Sequence, residues 1–186
     1  IYDVYGASVS KNEAKKALGL EPGRRYLLLF GFIRAYKGLD VIIEAFGKAD
    51  LPEELDLLIA GEFYDGRDKY LELLSNSSKK HRIHLHEGYI PTDHVKNYFC
   101  AAEAVVLPYR NATQSGITQI AIHFSLPVVS TKVGGIEEYI QHEVNGLLTS
   151  CDVDVLARDL QLMFKDSLLD QFAQAQNRVK EKYSWS

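Results

Sequence analysis

Two basic residues lie close together in a short loop that follows an apolar run. Arg34 and Lys37 are three positions apart, and Gly31 and Phe32 come directly before them. Glycine lets the backbone approach a ligand closely, and two cations in one short loop suit a diphosphate. The alternative is that Arg34 and Lys37 are solvated loop charges, because the loop is neither a G-x-G-x-x-G motif nor a P-loop.

A second polar segment, TQSGI, lies between an apolar run and an apolar helical pattern. Ser115 can cap the predicted helix, while the amides of Ser115, Gly116 and Ile117 can face an anion. A plain capped helix is the alternative interpretation. A nucleophilic role for Ser115 is disfavoured, because Thr113 and Ile117 replace the flanking glycines of G-x-S-x-G.

A third loop contains Tyr89 and Ile90, within the sequence GYIP. An aromatic ring and a branched aliphatic side chain beside free backbone groups suit a nucleobase, which needs stacking and a few edge hydrogen bonds. The alternative is a turn that fills a surface groove.

The histidines are weaker candidates for chemistry. His84 and His86 share one face of a predicted strand, but no third ligand follows at a metal-binding spacing, so we expect a partly buried structural pair. His123 lies on a predicted helix and is expected to be packed or hydrogen-bonded there.

The elements that must position these loops alternate between strand and helix. Apolar runs predict strands at Tyr26–Phe30, Leu55–Ala60, Ile83–His86, Ala104–Leu107, Pro127–Ser130 and Gly146–Leu148. After a capping box at Ser10–Glu13 and a helix opening at Gly38, further helices are predicted near Asp68–Ser75, Asp93–Ala101, Ser115–Phe124, Val153–Phe164 and Leu168–Lys182. This pattern predicts an α/β fold with a single Rossmann-like, doubly wound parallel sheet of about six strands. The loops at the carboxyl ends of its strands then converge on one ligand.

Composition narrows the function classes. The net charge is −4 and the 21 Lys and Arg residues are scattered, which argues against nucleic-acid binding. Cys100 and Cys151 are far apart, so neither a disulfide framework nor a thiolate zinc site is expected, and a reducing cytoplasm fits best. No apolar run is long enough to span a bilayer.

Several ordered motifs resemble one known family. The stretches LLLFGFIRAYKGLDVIIEAF, LDLLIAGEF, IHLHEGYIPTDHVKNYFCAAEAVVLPY, LPVVSTKVGGIEEYI and NGLLT are similar to the C-terminal domain of retaining glycosyltransferases of family 4. The resemblance covers nearly the whole chain and implies one half of a GT-B fold. It also implies that residues 1–186 are a donor-binding domain, that residues 1–9 are the tail of an interdomain linker, and that an N-terminal acceptor domain lies outside the sequence.

Carried over residue by residue, the resemblance places Arg34 and Lys37 on the donor diphosphate and Tyr89 and Ile90 beside the base. It places the Gln114–Gly116 amides near the phosphate and sugar.

The chain departs from the family at two glutamates that contact the donor sugar and ribose. Ala112 and Ile120 occupy these positions, and neither can bind a hydroxyl. Gln114 and Gln119 are the nearest polar substitutes.

The function implied is transfer of a sugar from a nucleoside-diphosphate sugar to a saccharide or lipid-linked acceptor, with retention, in polysaccharide or glycoconjugate biosynthesis. No cofactor or metal is expected, since two cations and a helix dipole can offset the leaving-group charge. Membrane association of the full-length protein stays open. Two alternatives also stay open: a noncatalytic nucleotide-sugar-binding module, and a GT-B-like epimerase or phosphorylase.

Overall fold

A computed structural model describes residues 3–112 and 115–184 of the chain. Six parallel strands form one sheet in the order β3-β2-β1-β4-β5-β6. The strands are β1 Arg25–Phe30, β2 Leu55–Gly61, β3 Ile83–Glu87, β4 Ala104–Leu107, β5 Val128–Thr131 and β6 Gly146–Thr149. The predicted fold class and the number of strands are therefore confirmed.

Seven α-helices flank the described part of the sheet. They are α1 Lys11–Ala17, α2 Leu39–Lys48, α3 Arg67–Asn76, α4 Thr92–Ala101, α5 Gly116–His123, α6 Val153–Met163 and α7 Asp166–Ser184. The predicted capping box at the start of α1 is present, with both reciprocal hydrogen bonds between Ser10 and Glu13. Short 3-10 turns at Asp3–Tyr5, Ala35–Lys37, Lys80–Arg82 and Gly134–Glu138 complete the chain path.

Alternate residues of each strand face opposite layers of helices. Leu27 and Leu29 of β1 belong to an apolar cluster with α2, α3 and α6, whereas Leu28 and Phe30 belong to a second cluster with α1, α4 and α5. Burial on both faces explains why the strands have continuous apolar runs, and it identifies the sheet as doubly wound.

Several predicted boundaries differ from the structure by one or two residues, and two of these differences have a clear physical reason. The strand predicted at Pro127–Ser130 runs from Val128 to Thr131, because Pro127 has no N–H and contributes only its carbonyl oxygen, which accepts from the Val105 N–H at 2.9 Å. The helix predicted to begin at Ser115 begins at Gly116, since Ser115 keeps an extended backbone.

The strand order reverses between β1 and β4, which are neighbours in the sheet although β2 and β3 lie between them in sequence. The loops after these two strands diverge at the carboxyl edge and leave a crevice, the place where open α/β sheets bind ligands. No described helix is long and apolar enough to cross a membrane.

Candidate functional site: a cavity at the carboxyl edge of the sheet

The crevice between β1 and β4 holds a cavity of about 310 Å³. Its described lining comes from the ends of β1 and β2, from the loops after β1, β2 and β3, from α4 and α5, and from the N-terminal 3-10 turn. The lining residues are Tyr5, Phe30, Gly31, Phe32, Lys37, Gly61, Glu62, Gly88, Tyr89, Ile90, Val95, Gly116, Ile117 and Ile120. The three loops singled out in the sequence thus converge on one cavity.

Lys37 is the only cation among the described lining residues. Its ammonium lies 5.7 Å from the centroid of the Tyr109 ring, and no described residue gives it a hydrogen bond or an ion pair. Burial, and secondarily the charge of Arg34, lower the pKa of Lys37. A Cβ added at Gly31, where φ is +117°, would lie 3.1 Å from the Lys37 Nζ atom. Glycine therefore leaves room for the ammonium at this point.

The loop that carries Lys37 is fixed to the loop after β4. The Arg110 N–H donates to the Tyr36 carbonyl at 2.7 Å, and the guanidinium donates to the Ala35 carbonyl at 2.9 Å. The same guanidinium binds both carboxylate oxygens of Asp40, at 2.9 and 2.6 Å. Burial raises the pKa of Asp40, but the hydrogen bonds and charge of Arg110 outweigh this effect and lower it overall. We call this arrangement the Arg110 clamp.

The clamp depends on a close approach of backbones at Gly38. Gly38 has φ +72°, and a Cβ there would lie 1.9 Å from the Pro108 carbonyl oxygen. Only glycine fits a left-handed position with backbone so near. Position 38 thus brings the two loops together, and Arg110 then holds the position of Lys37 between them.

Arg34 is not among the described residues that line the cavity. Its guanidinium is exposed and lies over the Tyr64 ring, 4.0 Å from the centroid. No described residue forms an ion pair or side-chain hydrogen bond with it. Its charge nevertheless acts on Lys37, so the two cations are neighbours although only Lys37 faces the cavity.

The start of α5 opens into the cavity through Gly116 and Ile117. A Cβ added at Gly116 would meet nothing within 4 Å, so the backbone at the first turn is open to a ligand. The prediction that Ser115 caps this helix with its side chain is wrong: Ser115 is buried at the N-cap and its hydroxyl makes no capping hydrogen bond. The amides of the first turn are therefore left for another acceptor. Gln114 lies outside the described residues.

Tyr89 and Phe32 provide flat rings at the rim of the cavity. The Tyr89 side chain is 71% exposed and that of Phe32 is 53% exposed, whereas Ile90 is partly buried against the core. Rings this exposed are free to stack on a ligand.

Gln119 and Ile120 resolve the helix phase that sequence leaves open. Gln119 does not line the cavity; its amide nitrogen lies 3.4 Å from the Tyr139 hydroxyl, to which it donates. Ile120 lines the cavity and is 5% exposed. Ala112 packs against the core cluster. Of the polar substitutes suggested for the family glutamates, Gln119 therefore faces elsewhere.

Two described lining residues that carry polar side-chain groups were missed by sequence reasoning. Glu62 is the only carboxylate in the described lining, and Tyr5 reaches the cavity from the N-terminal turn. Glu62 follows β2, so the rule that ligands bind at carboxyl ends of strands was a usable signal for it. Tyr5 carried no such signal, since only tertiary packing brings its turn against α4.

The histidines have structural partners, as expected. His84 lies 2.7 Å from the Asp56 carboxylate, His86 lies 3.0 Å from the Tyr98 hydroxyl, and His123 lies 3.2 Å from the Gly6 carbonyl. Among the described residues, no group of three His, Cys, Asp or Glu side chains is placed to hold a metal ion.

Comparison with known proteins first establishes the class of fold. The C-terminal domain of a group 1 glycosyl transferase, LpcC of Francisella tularensis, superposes with a TM-score of 0.85 at 19% identity, over 98% of this chain and 96% of that one. HepE of Anabaena, solved in complex with UDP-glucose, superposes with a TM-score of 0.82 at 19% identity, over 97% of this chain and 50% of that one. The chain has the Rossmann-like α/β fold of one half of a GT-B protein.

The sequence then gives the family. Residues 10–182 match the model of the glycosyl transferases group 1, so the chain belongs to that family. An uncharacterised glycosyltransferase of Methanocaldococcus jannaschii is 27% identical over 187 residues, which is 99% of this chain and 47% of the relative. The match covers between about a third and a half of the length of the curated relatives.

Proposed function

We propose that this chain is the donor-binding half of a retaining glycosyltransferase of family 4, occupying the C-terminal half of the full protein. The observation that carries the proposal is the Lys37 ammonium, which faces the cavity with no described partner beside the open first turn of α5. Lys37 is partly buried, and a cation withdrawn from water without a partner has a free-energy cost that a bound anion offsets. A helix N-terminus adds a favourable potential for the same anion.

The size and lining of the cavity suit a nucleoside diphosphate. The phosphates bind Lys37 and the amides of Gly116 and Ile117, while the base lies against Tyr89 and Ile90 at the other side of the cavity. Support comes from the position of these residues in one cavity, and from HepE, a protein of the same fold that was solved with UDP-glucose.

In the proposed reaction, the bond between the anomeric carbon of the sugar and the β-phosphate oxygen breaks as the sugar passes to the acceptor hydroxyl. Negative charge then grows on the departing diphosphate. Lys37, the helix dipole and Arg34, whose charge acts on Lys37, offset this negative charge, which is electrostatic stabilisation of the departing group. The Arg110 clamp positions Lys37 before the ligand arrives, so little reorganisation is needed during the reaction. The proposal needs no metal ion, because the cations and the helix terminus supply the positive potential.

The partners in this proposal are a nucleoside-diphosphate sugar, an N-terminal domain of the same protein, and a saccharide or lipid-linked acceptor. We place the reaction in polysaccharide or glycoconjugate biosynthesis, in the cytoplasm. The separate chain is expected to bind donor without steady acceptor-dependent turnover, because the second domain supplies the acceptor side and excludes water.

Calorimetry with a nucleoside diphosphate and the matching nucleoside tests the site. Lys37→Ala and Arg34→Ala are each expected to weaken diphosphate binding by about 1.5–3 kcal/mol, the range for a charge-assisted hydrogen bond, with little effect on the nucleoside. Lys48→Ala is the matched control, since the Lys48 side chain is 54% exposed and pairs with Asp154. Equal losses for both ligands would contradict the proposal.

A second candidate is a noncatalytic nucleotide-sugar-binding module, and Ile120 is the observation that favours it. An isoleucine lines the cavity where the resemblance implies a carboxylate on the donor ribose. Assay of the full-length protein with donor and acceptor separates the two functions. Turnover supports the transferase, whereas tight donor binding without turnover supports the module.

A further inference from the structure

Tyr64 is an exposed aromatic residue outside the cavity lining, and one contact gives it a clear relation to the proposed site. It is 65% exposed and follows β2, and the guanidinium of Arg34 lies 4.0 Å from its ring centroid. A cation at this distance over the face of a tyrosine is attracted by the ring quadrupole.

Backbone pairing sets the position of this ring. The Ile33 N–H donates to the Glu62 carbonyl at 2.8 Å, and the Tyr64 N–H donates to the Ile33 carbonyl at 3.0 Å. Ile33 and Phe63 thereby form an isolated parallel bridge three residues beyond Phe30 and Ala60, the last pair of β1 and β2. Arg34 and Tyr64 directly follow the two bridged residues, so the stack is built on a fixed register.

The Tyr64 ring is also the main restraint on Arg34. Among described residues, no carboxylate pairs with this guanidinium and no hydrogen bond holds it, and its side chain is exposed. A long arginine side chain with no anchor samples many rotamers, which weakens any contact it makes to a ligand. The stack limits that sampling while leaving the N–H groups at the edge of the guanidinium free to donate.

We infer that Tyr64 is a positioning residue that holds Arg34, whose charge acts on the cavity-lining Lys37, ready to bind the donor diphosphate. This inference rests on the proposed function. It assigns Tyr64 no contact with the ligand, so its whole effect on binding passes through Arg34.

A double-mutant cycle tests the inference. The affinity for uridine 5′-diphosphate, or for guanosine 5′-diphosphate if the wild type prefers it, is measured for wild type, Tyr64→Ala, Tyr64→Phe, Arg34→Ala and the Tyr64→Ala/Arg34→Ala pair. Tyr64→Ala is expected to weaken binding about two- to fivefold, which is the strength of an exposed cation–π contact. Tyr64→Phe, which keeps the ring, is expected to restore wild-type affinity, and Tyr64→Ala is expected to change nothing once Arg34 is absent.

Three results would overturn the inference: no effect of Tyr64→Ala, an equal effect in both backgrounds, or failure of phenylalanine to restore binding. Melting temperatures of all variants show whether a loss comes from unfolding. If Arg34→Ala and Lys37→Ala do not discriminate between diphosphate and nucleoside, the proposed function itself fails. If they do discriminate while the Tyr64 and Arg34 effects add independently, only the role of Tyr64 fails.

Discussion

At the amino ends of β1–β3, the buried carboxylate of Asp56 is paired with basic side chains. At the carboxyl edge, no described carboxylate pairs with Lys37. Asp56 is 1% exposed and accepts two hydrogen bonds from Arg24, at 2.8 and 2.6 Å. Arg82 approaches to 3.8 Å and His84 to 2.7 Å. We call these four residues the Asp56 cluster.

The two regions differ in what compensates a charge that the fold withdraws from water. The Asp56 cluster is neutralised by residues of the chain itself, and Arg82 also donates to the Pro52 and Leu55 carbonyls. Such a cluster has a structural role and needs no ligand. No described carboxylate pairs with Lys37, whose ammonium lies near the ring of Tyr109, and its neighbour Arg34 has the same sign. A charge that the fold leaves unpaired indicates where a ligand of opposite charge binds.

The largest effect is expected from breaking the Asp56 cluster. Asp56→Ala removes the shared acceptor and leaves Arg24 and Arg82 facing each other, so the free energy of unfolding should fall by about 3 kcal/mol, the lower end for a broken buried pair because Arg24 is partly exposed. Urea denaturation measures the loss. Asp154→Ala is the control, since that carboxylate is 82% exposed and its pair with Lys48 contributes little. Equal losses of unfolding free energy in the two variants would contradict the structural role given to the Asp56 cluster.

A new charge at the carboxyl edge should also destabilise the fold. Ile120→Glu places a carboxylate at a site that is 5% exposed and packed in the core cluster. We expect a loss of about 2 kcal/mol, the cost of an unpaired buried polar group. Ile120→Gln separates the effect of charge from that of shape. An unchanged melting temperature together with tighter donor binding would show that a glutamate at position 120 reaches a hydroxyl group of the bound donor.

Removing the charge of Lys37 at the same edge should have the opposite effect, an increase in the free energy of unfolding. Lys37→Met keeps the length of the side chain and eliminates a partly buried ammonium with no described partner, so the ligand-free protein should gain about 1 kcal/mol in free energy of unfolding. Thermal denaturation without ligand measures the gain. Lys48→Met, at an exposed position, should give no such gain, and a clear loss for Lys37→Met would mean that the ammonium has a stabilising partner.

The smallest expected effect is a dependence of binding on alkaline pH. Burial, and then Arg34, lower the pKa of Lys37 from its ordinary value of 10.5, and a bound diphosphate raises it again. Between the two values the complex holds a proton that the free protein lacks, so affinity for uridine 5′-diphosphate falls as pH rises through that interval. The dependence should disappear in Lys37→Arg, which stays charged. Calorimetry in buffers of different ionisation enthalpy detects the proton uptake directly.

Local patterns in the sequence predicted most of the fold. The Ser10–Glu13 capping box and the apolar runs of the strands depend on near neighbours, and both are present in the structure. The convergence of the Lys37 loop and the start of α5 also followed from the rule for parallel sheets.

Features that depend on distant residues were not predictable in this way. Arg110 and Asp40 are 70 positions apart, and Arg34 meets Tyr64 only because two loops pair through their backbones. The direction of Gln119 depends on helix phase, and Ser115, which is buried at the N-cap, makes no capping hydrogen bond. The Arg110–Asp40 and Arg34–Tyr64 contacts are set by tertiary packing, and they position the two cations relative to the cavity.

The Arg110 clamp has a consequence for folding kinetics. It joins the loop after β1 to the loop after β4, so the clamp forms only when the two halves of the sheet have docked along the β1–β4 seam. Contacts of such high sequence separation require closure of a long loop and generally form late. An intermediate that contains only β1–β3 therefore lacks a positioned Lys37. A diphosphate that binds Lys37 stabilises the native state without stabilising the species before it, and so acts by slowing unfolding while leaving the folding rate nearly unchanged.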